Sequence, residues 1–203
     1  MKDTARAARE RSIETAAYTV LGERGFAGAS MLTIAKAAKA SNETLYRWYG
    51  DKTALFTALV ERNADLVSET LDAALAKGHC ATDCLHQIAP VLLGMLLSER
   101  AILLNRAAAS DPTGTLGAAL AAGGRDRVRP RLIALMQRAK DEGAFSAQTP
   151  EQACDWFLTC LIGDLQIRRV TGALPEPDAD QIAARVALAL AMFAKLTEGP
   201  GRG

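Results

Sequence analysis

Two groups of residues in this chain have types and spacings that can do chemistry. The first is the segment that holds His79, Cys80, Asp83, Cys84 and His86, which includes both histidines and two of the four cysteines. Thiolates and imidazoles bind transition metals, and paired thiols can sense redox state. Cys80 and Cys84, four residues apart, would share one helix face. However, the spacing matches no structural zinc pattern and intracellular cysteines are commonly small buried hydrophobes, so we favour inert packing.

An enzyme would need a nucleophile, a base and an orienting group held together. The segment 79–86 offers at most two of these, and the chain has no Gly-rich phosphate loop. We therefore predict that the chain is not an enzyme, with no catalytic residue, no cofactor and no metal. A thiol-responsive or metal-responsive regulator that uses 79–86 is kept as an alternative function.

The second group is a run of polar, aromatic and basic residues near the N-terminus, whose side chains suit nucleic acid. Asn42 can pair with adenine and Arg47 with guanine, at ~1 to 3 kcal/mol of discrimination for a good bidentate contact. Glu43 either accepts a hydrogen bond from a cytosine amino group or pairs with Arg47 one turn further along. We favour the pair.

Short helices must position these side chains. An apolar stripe predicts a first helix that ends at Gly25, and Ser30 is a good N-cap for a second helix that runs to about Lys39. Ser41 can cap a third helix from Asn42 to about Trp48, and a long helix follows from Lys52. Two short helices joined by a tight turn are a candidate helix-turn-helix unit.

This region resembles the N-terminal domain of TetR/AcrR repressors. The match covers about residues 10–57 and includes Ala35 at the helix crossing, the run Ser-x-x-Thr-Leu-Tyr from Ser41, Tyr49 and Lys52, all at the spacing of the family. The resemblance implies DNA contacts in two sets. Ser30, Thr44, Tyr46 and Lys52 would bind the phosphate backbone, and Asn42, Glu43 and Arg47 would read base edges, with Trp48 at the groove wall.

The sequence departs from the family pattern in two places. Lys39-Ala40 stands where the family commonly has Gly-Val, and Glu43 stands where a small residue is frequent. Lys39 is therefore expected in a left-handed conformation, which is strained for a residue other than glycine. We interpret the departures as altered sequence preference, with an interaction protein that has lost DNA binding as the alternative. Lys2, Arg6 and Arg9 are interpreted as a solvated helix end, with a basic arm as the alternative.

Composition and charge fit this interpretation. The chain has 203 residues, 49% apolar and 23% charged, and a net charge of +1. Residues 1–62 hold ten Lys and Arg and seven Asp and Glu, which gives +3, so the remainder carries −2. A basic head on a slightly acidic body suits a polyanion-binding module joined to a second module. Without a signal peptide or a run of ~20 apolar residues, we expect a cytoplasmic protein with no membrane segment.

We predict an all-α fold of about nine helices. A three-helix helix-turn-helix domain over 1–52 binds DNA, and a helical bundle over 53–203 senses a ligand and dimerises. Beyond the fourth helix we expect helical segments at 82–97, 98–110, 115–142 with a break near Gly123 and Pro130, 150–171, and 178–197.

The resemblance also implies partners. In the family the last two helices pair with their copies, here 150–171 and 178–197, so we expect a homodimer on a palindromic DNA operator. The candidate apolar residues of this interface, half of which must face the chain's own core, are Trp156, Cys160, Ile167, Val170, Ile182, Val186, Leu190 and Phe193. A small apolar or aromatic effector would release a repressor from DNA. Its candidate pocket residues are Leu92, Met95, Leu96, Leu103, Met136, Trp156 and Phe157.

Overall fold

A computed structural model describes residues 2–76, 80–145 and 148–198. The described residues are all-helical and contain no β-strand, which confirms the predicted fold class. In chain order, the α-helices are α1 (Lys2–Gly28), α2 (Met31–Ala37), α3 (Asn42–Tyr49), α4 (Lys52–Ala76), α5 (Ala81–Leu97), α6 (Glu99–Ala109), α7 (Thr115–Leu120), α8 (Asp126–Asp141), α9 (Pro150–Ile162), α10 (Leu165–Val170) and α11 (Ala179–Thr197). A π-helical segment, Ala121–Arg125, connects α7 to α8.

The chain divides into two compact units. The N-terminal unit contains the described residues up to Arg62 together with Leu103–Gly123, and the C-terminal unit contains Asn63–Ile102 and the described residues from Gly124 onward. Both α4 and α6 contribute to both units, since each crosses a boundary.

The core of the N-terminal unit is built on the predicted stripe of α1. Its members are all buried: Ile13, Ala16, Ala17, Val20 and Leu21. They pack with buried residues of α2, α3 and α4, among them Ile34, Leu45 and Phe56. Gly25 ends the regular part of α1 as predicted, with a φ of 65° that glycine adopts without steric cost.

The C-terminal unit is a bundle around α5. This helix packs against α8, α9, α10 and α11, and α9 also packs against α8 and α11. Phe157 of α9 and Phe193 of α11 meet edge to face, with ring centroids 5.7 Å apart. Cys154 and Cys160 are buried in this core.

Two of the predicted helical segments are divided in the structure. The 115–142 segment, predicted with a break near Gly123 and Pro130, changes to π-helix at Ala121–Arg125, while Pro130 lies inside α8 without ending it. The 150–171 segment, predicted as one helix, breaks at Gly163, whose φ is 51°. Arg185 of α11 donates from Nε to the Leu161 carbonyl at 3.0 Å, which satisfies a carbonyl left free at the end of α9.

Among the described helices, none alone has the length and apolar composition to cross a membrane. The pair Ala81–Leu97 and Glu99–Ala109 meets that criterion only when the two helices are taken together across their bend.

Candidate DNA-binding surface

The first helix of the helix-turn-helix is held at its start by a reciprocal cap. The Ser30 hydroxyl accepts a hydrogen bond from the Thr33 backbone N–H at 3.1 Å, and the Thr33 hydroxyl accepts from the Ser30 backbone N–H at 2.9 Å. This capping box satisfies N–H groups that have no partner inside the helix. The predicted N-cap at Ser30 is confirmed, and its side chain is exposed.

The tight turn after α2 depends on Lys39. Its φ of 51° confirms the predicted left-handed conformation. The Lys39 N–H donates to the Lys36 carbonyl at 3.2 Å, and the Ala40 N–H donates to the Ala35 carbonyl at 2.9 Å. These two bonds form the Schellman motif that ends many helices, with a lysine where glycine is usual.

The recognition helix α3 is capped by Ser41, as predicted. The Ser41 hydroxyl accepts from the Thr44 backbone N–H at 3.1 Å. One face of the helix is anchored because Leu45 is completely buried in the core. On the outer side Tyr46 is 51% exposed, and Arg47 is exposed beside it. The helix therefore presents a phenol and a guanidinium to solvent from a rigid base.

The other α3 residues predicted to contact DNA have distinct surroundings. Thr44 and Trp48 are half-buried, and Glu43 is exposed. Glu43 and Arg47 form no ion pair in the structure, so the predicted bond between them is absent. The Asn42 Oδ1 atom is buried without a hydrogen-bond partner. Asn42 must therefore turn its side chain before it can make a two-point contact with adenine.

Lys52 is engaged inside the protein. Its ammonium donates to the carbonyls of Phe26 at 2.8 Å and Ala29 at 3.0 Å, and it lies 4.2 Å from the centre of the Phe26 ring. These contacts join the start of α4 to the last turn of α1 and to the connection between α1 and α2. Lys52 thus has a structural role in addition to the phosphate contact that the resemblance implies. Its two partners lie 23 and 26 residues earlier in the chain.

A charged network lies beside the end of α3. Glu10 accepts from Arg6 at 3.0 Å and lies 3.5 Å from Arg62, which is also 3.3 Å from Glu14. Burial, followed by the negative charges of Glu14 and Glu10, raises the pKa of Tyr49 to about 12. The Tyr49 hydroxyl thus stays neutral at physiological pH.

Two family profiles match this chain. The one described as "Bacterial regulatory proteins, tetR family" matches residues 13–59. The one described as "AefR-like transcriptional repressor, C-terminal domain" matches residues 83–196, more than half of the chain. The chain belongs to the TetR family. It is a DNA-binding transcriptional regulator with the helix-turn-helix in its N-terminal region.

Solved structures of TetR-family regulators share this fold. The TetR transcriptional regulator of Agrobacterium tumefaciens is 25% identical, with a TM-score of 0.69, and the match covers 94% of this chain and 95% of that one. The flavonoid-responsive regulator FrrA is 25% identical, with a TM-score of 0.65, and the match covers 94% and 97%. SmeT in complex with triclosan is 22% identical, with a TM-score of 0.75, and covers 93% and 91%. A comparison with curated protein sequences finds no match.

The predicted pocket residues of this TetR-family regulator fall into two groups. Six lie in or against the core of the C-terminal unit: Leu92, Met136 and Phe157 are buried, and Met95, Leu96 and Trp156 pack around them. Leu103 instead packs against the core of the N-terminal unit. Sequence reasoning missed Ser68 of α4, whose hydroxyl is buried without a hydrogen-bond partner.

The two cysteines of the segment 79–86 have different surroundings. Cys80 is exposed and is the N-cap of α5, where its sulfur accepts from the Asp83 N–H at 3.4 Å. Cys84 is buried, and burial raises the pKa of its thiol. A reactive thiol needs the opposite shift. His79 lies outside the described residues, and the described residues contain no cluster of three metal-binding side chains.

The last helices carry apolar residues on two faces. Cys160, Val186, Leu190 and Phe193 face the core of the C-terminal unit, and Trp156, Val170 and Ile182 are half-buried. The large exposed apolar residues are Ile167 at 59%, Leu188 at 53%, Met192 at 42% and Leu196 at 47%. Sequence reasoning missed the last three, although their spacing of four was visible in the sequence.

Proposed function

We propose that this chain is a homodimeric transcriptional repressor that a small apolar or aromatic effector releases from a palindromic operator. The DNA-binding domain comprises residues 1–52, and residues 53–203 sense the effector and dimerise. The observation that carries the proposal is the capped α3 helix, which is anchored by buried Leu45 and exposes Tyr46 and Arg47. The repressor is proposed to act in the cytoplasm, where bacterial DNA lies.

In this proposal α3 enters the major groove. Arg47 reads a base edge, because its guanidinium is exposed and has no ion-pair partner in Glu43. Asn42 and Glu43 are the other base readers. Ser30, Thr44, Tyr46 and Lys52 hold phosphates, and Trp48 lies at the groove wall. A single helix of eight residues reads few base pairs, so a second copy is needed for a specific site.

The dimer would form through α9, α10 and α11, within 150–171 and 178–197. Leu188, Met192 and Leu196 form a stripe along α11, since residues four apart lie on one helix face. An exposed apolar stripe on an ordered helix is a typical protein interface. A copy of the same stripe would cover it across a two-fold axis.

The effector is proposed to bind among the apolar residues of the C-terminal unit. The predicted residues Met95, Leu96 and Trp156 are half-buried at the edge of that core, where a ligand can reach them. FrrA is a flavonoid-responsive regulator, and SmeT shows that the same fold can hold the aromatic molecule triclosan. Binding would move α4, which is continuous from Lys52 to Ala76, and so alter the separation of the two α3 helices.

Selection of bound duplexes from a random library at physiological salt tests the proposal. The wild-type protein is expected to enrich a two-fold symmetric site, whose halves are ~34 to 36 Å apart. Arg47→Ala should lose that enrichment. Arg24→Ala, which removes an exposed arginine near the C-terminal end of α1, should keep the enrichment. Lys52 variants are unsuitable here because they also remove the contacts with Phe26 and Ala29. A folded, dimeric wild-type sample that enriches no site would overturn the proposal.

A further inference from the structure

The helix α1 is longer than the helix-turn-helix that it supports. The match to the tetR family profile begins at residue 13, whereas α1 begins at Lys2. The eleven residues of this N-terminal extension, 2–12, add about 16 Å of helix at 1.5 Å per residue. They carry four basic and two acidic residues, so the extension has a net positive charge.

One face of the extension is aligned with the core. Arg6 and Arg9 precede Ile13 at helical spacing, and Ile13 is completely buried against the rest of the unit. The extension thus carries these two arginines on the side that α1 turns toward the other helices of the unit. Arg11 lies on a different face, about 140° around the helix from Arg6.

Arg6 contacts the recognition helix directly. Its guanidinium carbon lies 5.5 Å from the centre of the Trp48 ring, a cation–π contact near the end of α3. Its Nε donates to Glu10 at 3.0 Å. The side chain is still 65% exposed, and its two Nη groups have no protein partner among the described residues.

The charge of Arg6 is held in place without being fully neutralised. Glu10 is shared, because the guanidinium of Arg62 lies 3.5 Å from its second oxygen. Trp48 and Glu10 therefore orient Arg6 from two sides while its outer nitrogens face solvent. A cation that is already oriented loses little side-chain entropy when it binds an anion.

We propose that the N-terminal extension of α1 is a second DNA-contacting element, in which Arg6, held against Trp48, binds a backbone phosphate beside the groove that α3 enters. This rests on the proposed function, because it requires α3 at the DNA. The proposal replaces our interpretation of Lys2, Arg6 and Arg9 as a solvated helix end. The extension adds affinity without adding sequence information, since a phosphate is the same at every base pair.

The test measures DNA binding by fluorescence anisotropy over a range of salt, on the selected operator and on an unrelated duplex. Arg6→Met keeps apolar contact with Trp48 and removes the charge. We expect affinity to fall about tenfold on both duplexes and the slope of log K against log salt to fall by about 0.9, as for one lost phosphate contact. Arg6→Lys should keep most of the slope.

Arg11→Met is the matched control, because it removes the same charge from the same segment on another face. If Arg6→Met and Arg11→Met have the same affinity and slope, Arg6 has no effect beyond the loss of one charge from the segment, and the proposal is wrong. If Arg6→Met weakens only operator binding and leaves the slope unchanged, Arg6 merely positions α3, and the proposal is also wrong. A wild-type protein without a specific operator would refute the proposed function, while the unrelated duplex would still decide the role of Arg6.

Discussion

Lys39 shows how one residue can keep a tight turn at the cost of local strain. A residue with a Cβ atom in the left-handed region is less stable there than glycine by about 1 to 2 kcal/mol. The turn persists because the two hydrogen bonds to Lys36 and Ala35 hold it.

Lys39→Gly should therefore raise the free energy of unfolding by about 0.5 to 1 kcal/mol, since the relief of strain exceeds the entropy that glycine costs. The measurement is urea denaturation followed by circular dichroism. Lys36→Gly is the control, because Lys36 lies in regular helix three residues earlier and the same change there should destabilise the protein. Equal effects of the two substitutions would show that the Lys39 conformation carries no strain.

Ser68 also lowers the stability of the fold, for a different reason. Its hydroxyl is buried in α4 without a hydrogen-bond partner. A buried polar group in that state costs about 1 to 3 kcal/mol. Ser68→Ala should accordingly raise the free energy of unfolding by about 1 kcal/mol, and Thr70→Ala, whose hydroxyl already donates to the Leu66 carbonyl, should not. A destabilised Ser68→Ala protein would mean that the hydroxyl has a partner in solution.

At the scale of elements, the π-helical segment Ala121–Arg125 makes a close contact with α4. A Cβ atom at Gly123 would lie 2.9 Å from Val60 Cγ1 and 3.2 Å from Glu61 Cγ. The middle of the segment can approach α4 this closely only because residue 123 has no side chain.

Gly123→Ala should lower the free energy of unfolding by about 1 to 3 kcal/mol through overpacking. Gly117→Ala supplies the comparison, because a Cβ atom there meets nothing within 4 Å, and alanine is the better helix former. Thermal unfolding of both variants measures the difference. If Gly123→Ala is as stable as Gly117→Ala, the contact with Val60 is looser than the structure indicates.

Glu142 joins the ends of two helices. Its carboxylate accepts from the Ala81 N–H at the start of α5 at 2.6 Å and from Arg138 at 2.8 Å. The hydrogen bond from Ala81, followed by that from Arg138, lowers the pKa of Glu142 below its ordinary value of 4.5. Because the folded-state pKa is the lower one, this contribution to stability is complete above pH 4.5 and is lost as the pH falls through the folded-state pKa.

Glu142→Gln should therefore be less stable than wild type at neutral pH, and the two proteins should converge in stability as the pH falls below 4.5. Urea denaturation at several pH values measures the difference in the free energy of unfolding between the two proteins. Asp141→Asn, next to it in sequence, controls for the loss of one charge at the end of α8. A gap that does not depend on pH would indicate that the Glu142 carboxylate contributes through packing alone.

At the scale of the whole molecule, the exposed stripe of α11 predicts the oligomeric state. Met192→Glu should give a folded monomer, because an uncompensated carboxylate in the centre of an apolar interface opposes association. Operator affinity should fall about 100-fold, as expected when two linked sites become independent. Sedimentation, circular dichroism and anisotropy measure assembly, folding and binding in turn.

Leu66→Glu is the matched substitution outside the proposed interface. Leu66 is 63% exposed on α4, so the same change there should leave a dimer that binds DNA. A dimeric Met192→Glu protein, or a wild-type protein that is monomeric when bound to its operator, would contradict the assignment of the interface to α11.

The sequence by itself determined the local structure of the helix-turn-helix region. The caps at Ser30 and Ser41, the turn at Lys39 and the buried stripe of α1 were all predicted and are all present. Each depends on residues within about four positions of one another, where hydrogen bonding and helical periodicity are local. The spacing of the motif residues also gave the resemblance to TetR regulators.

Only the tertiary structure decided which groups meet across the chain. The engagement of Lys52 by Phe26, the contact of Arg6 with Trp48 and the close approach of Gly123 to Val60 each join residues from different elements. Helical periodicity places apolar residues on faces but does not say which face meets the core. Val186 and Leu188 are both apolar, for example, yet one is buried and the other exposed, because the packing of α11 on α9 and α5 covers only one side of the helix.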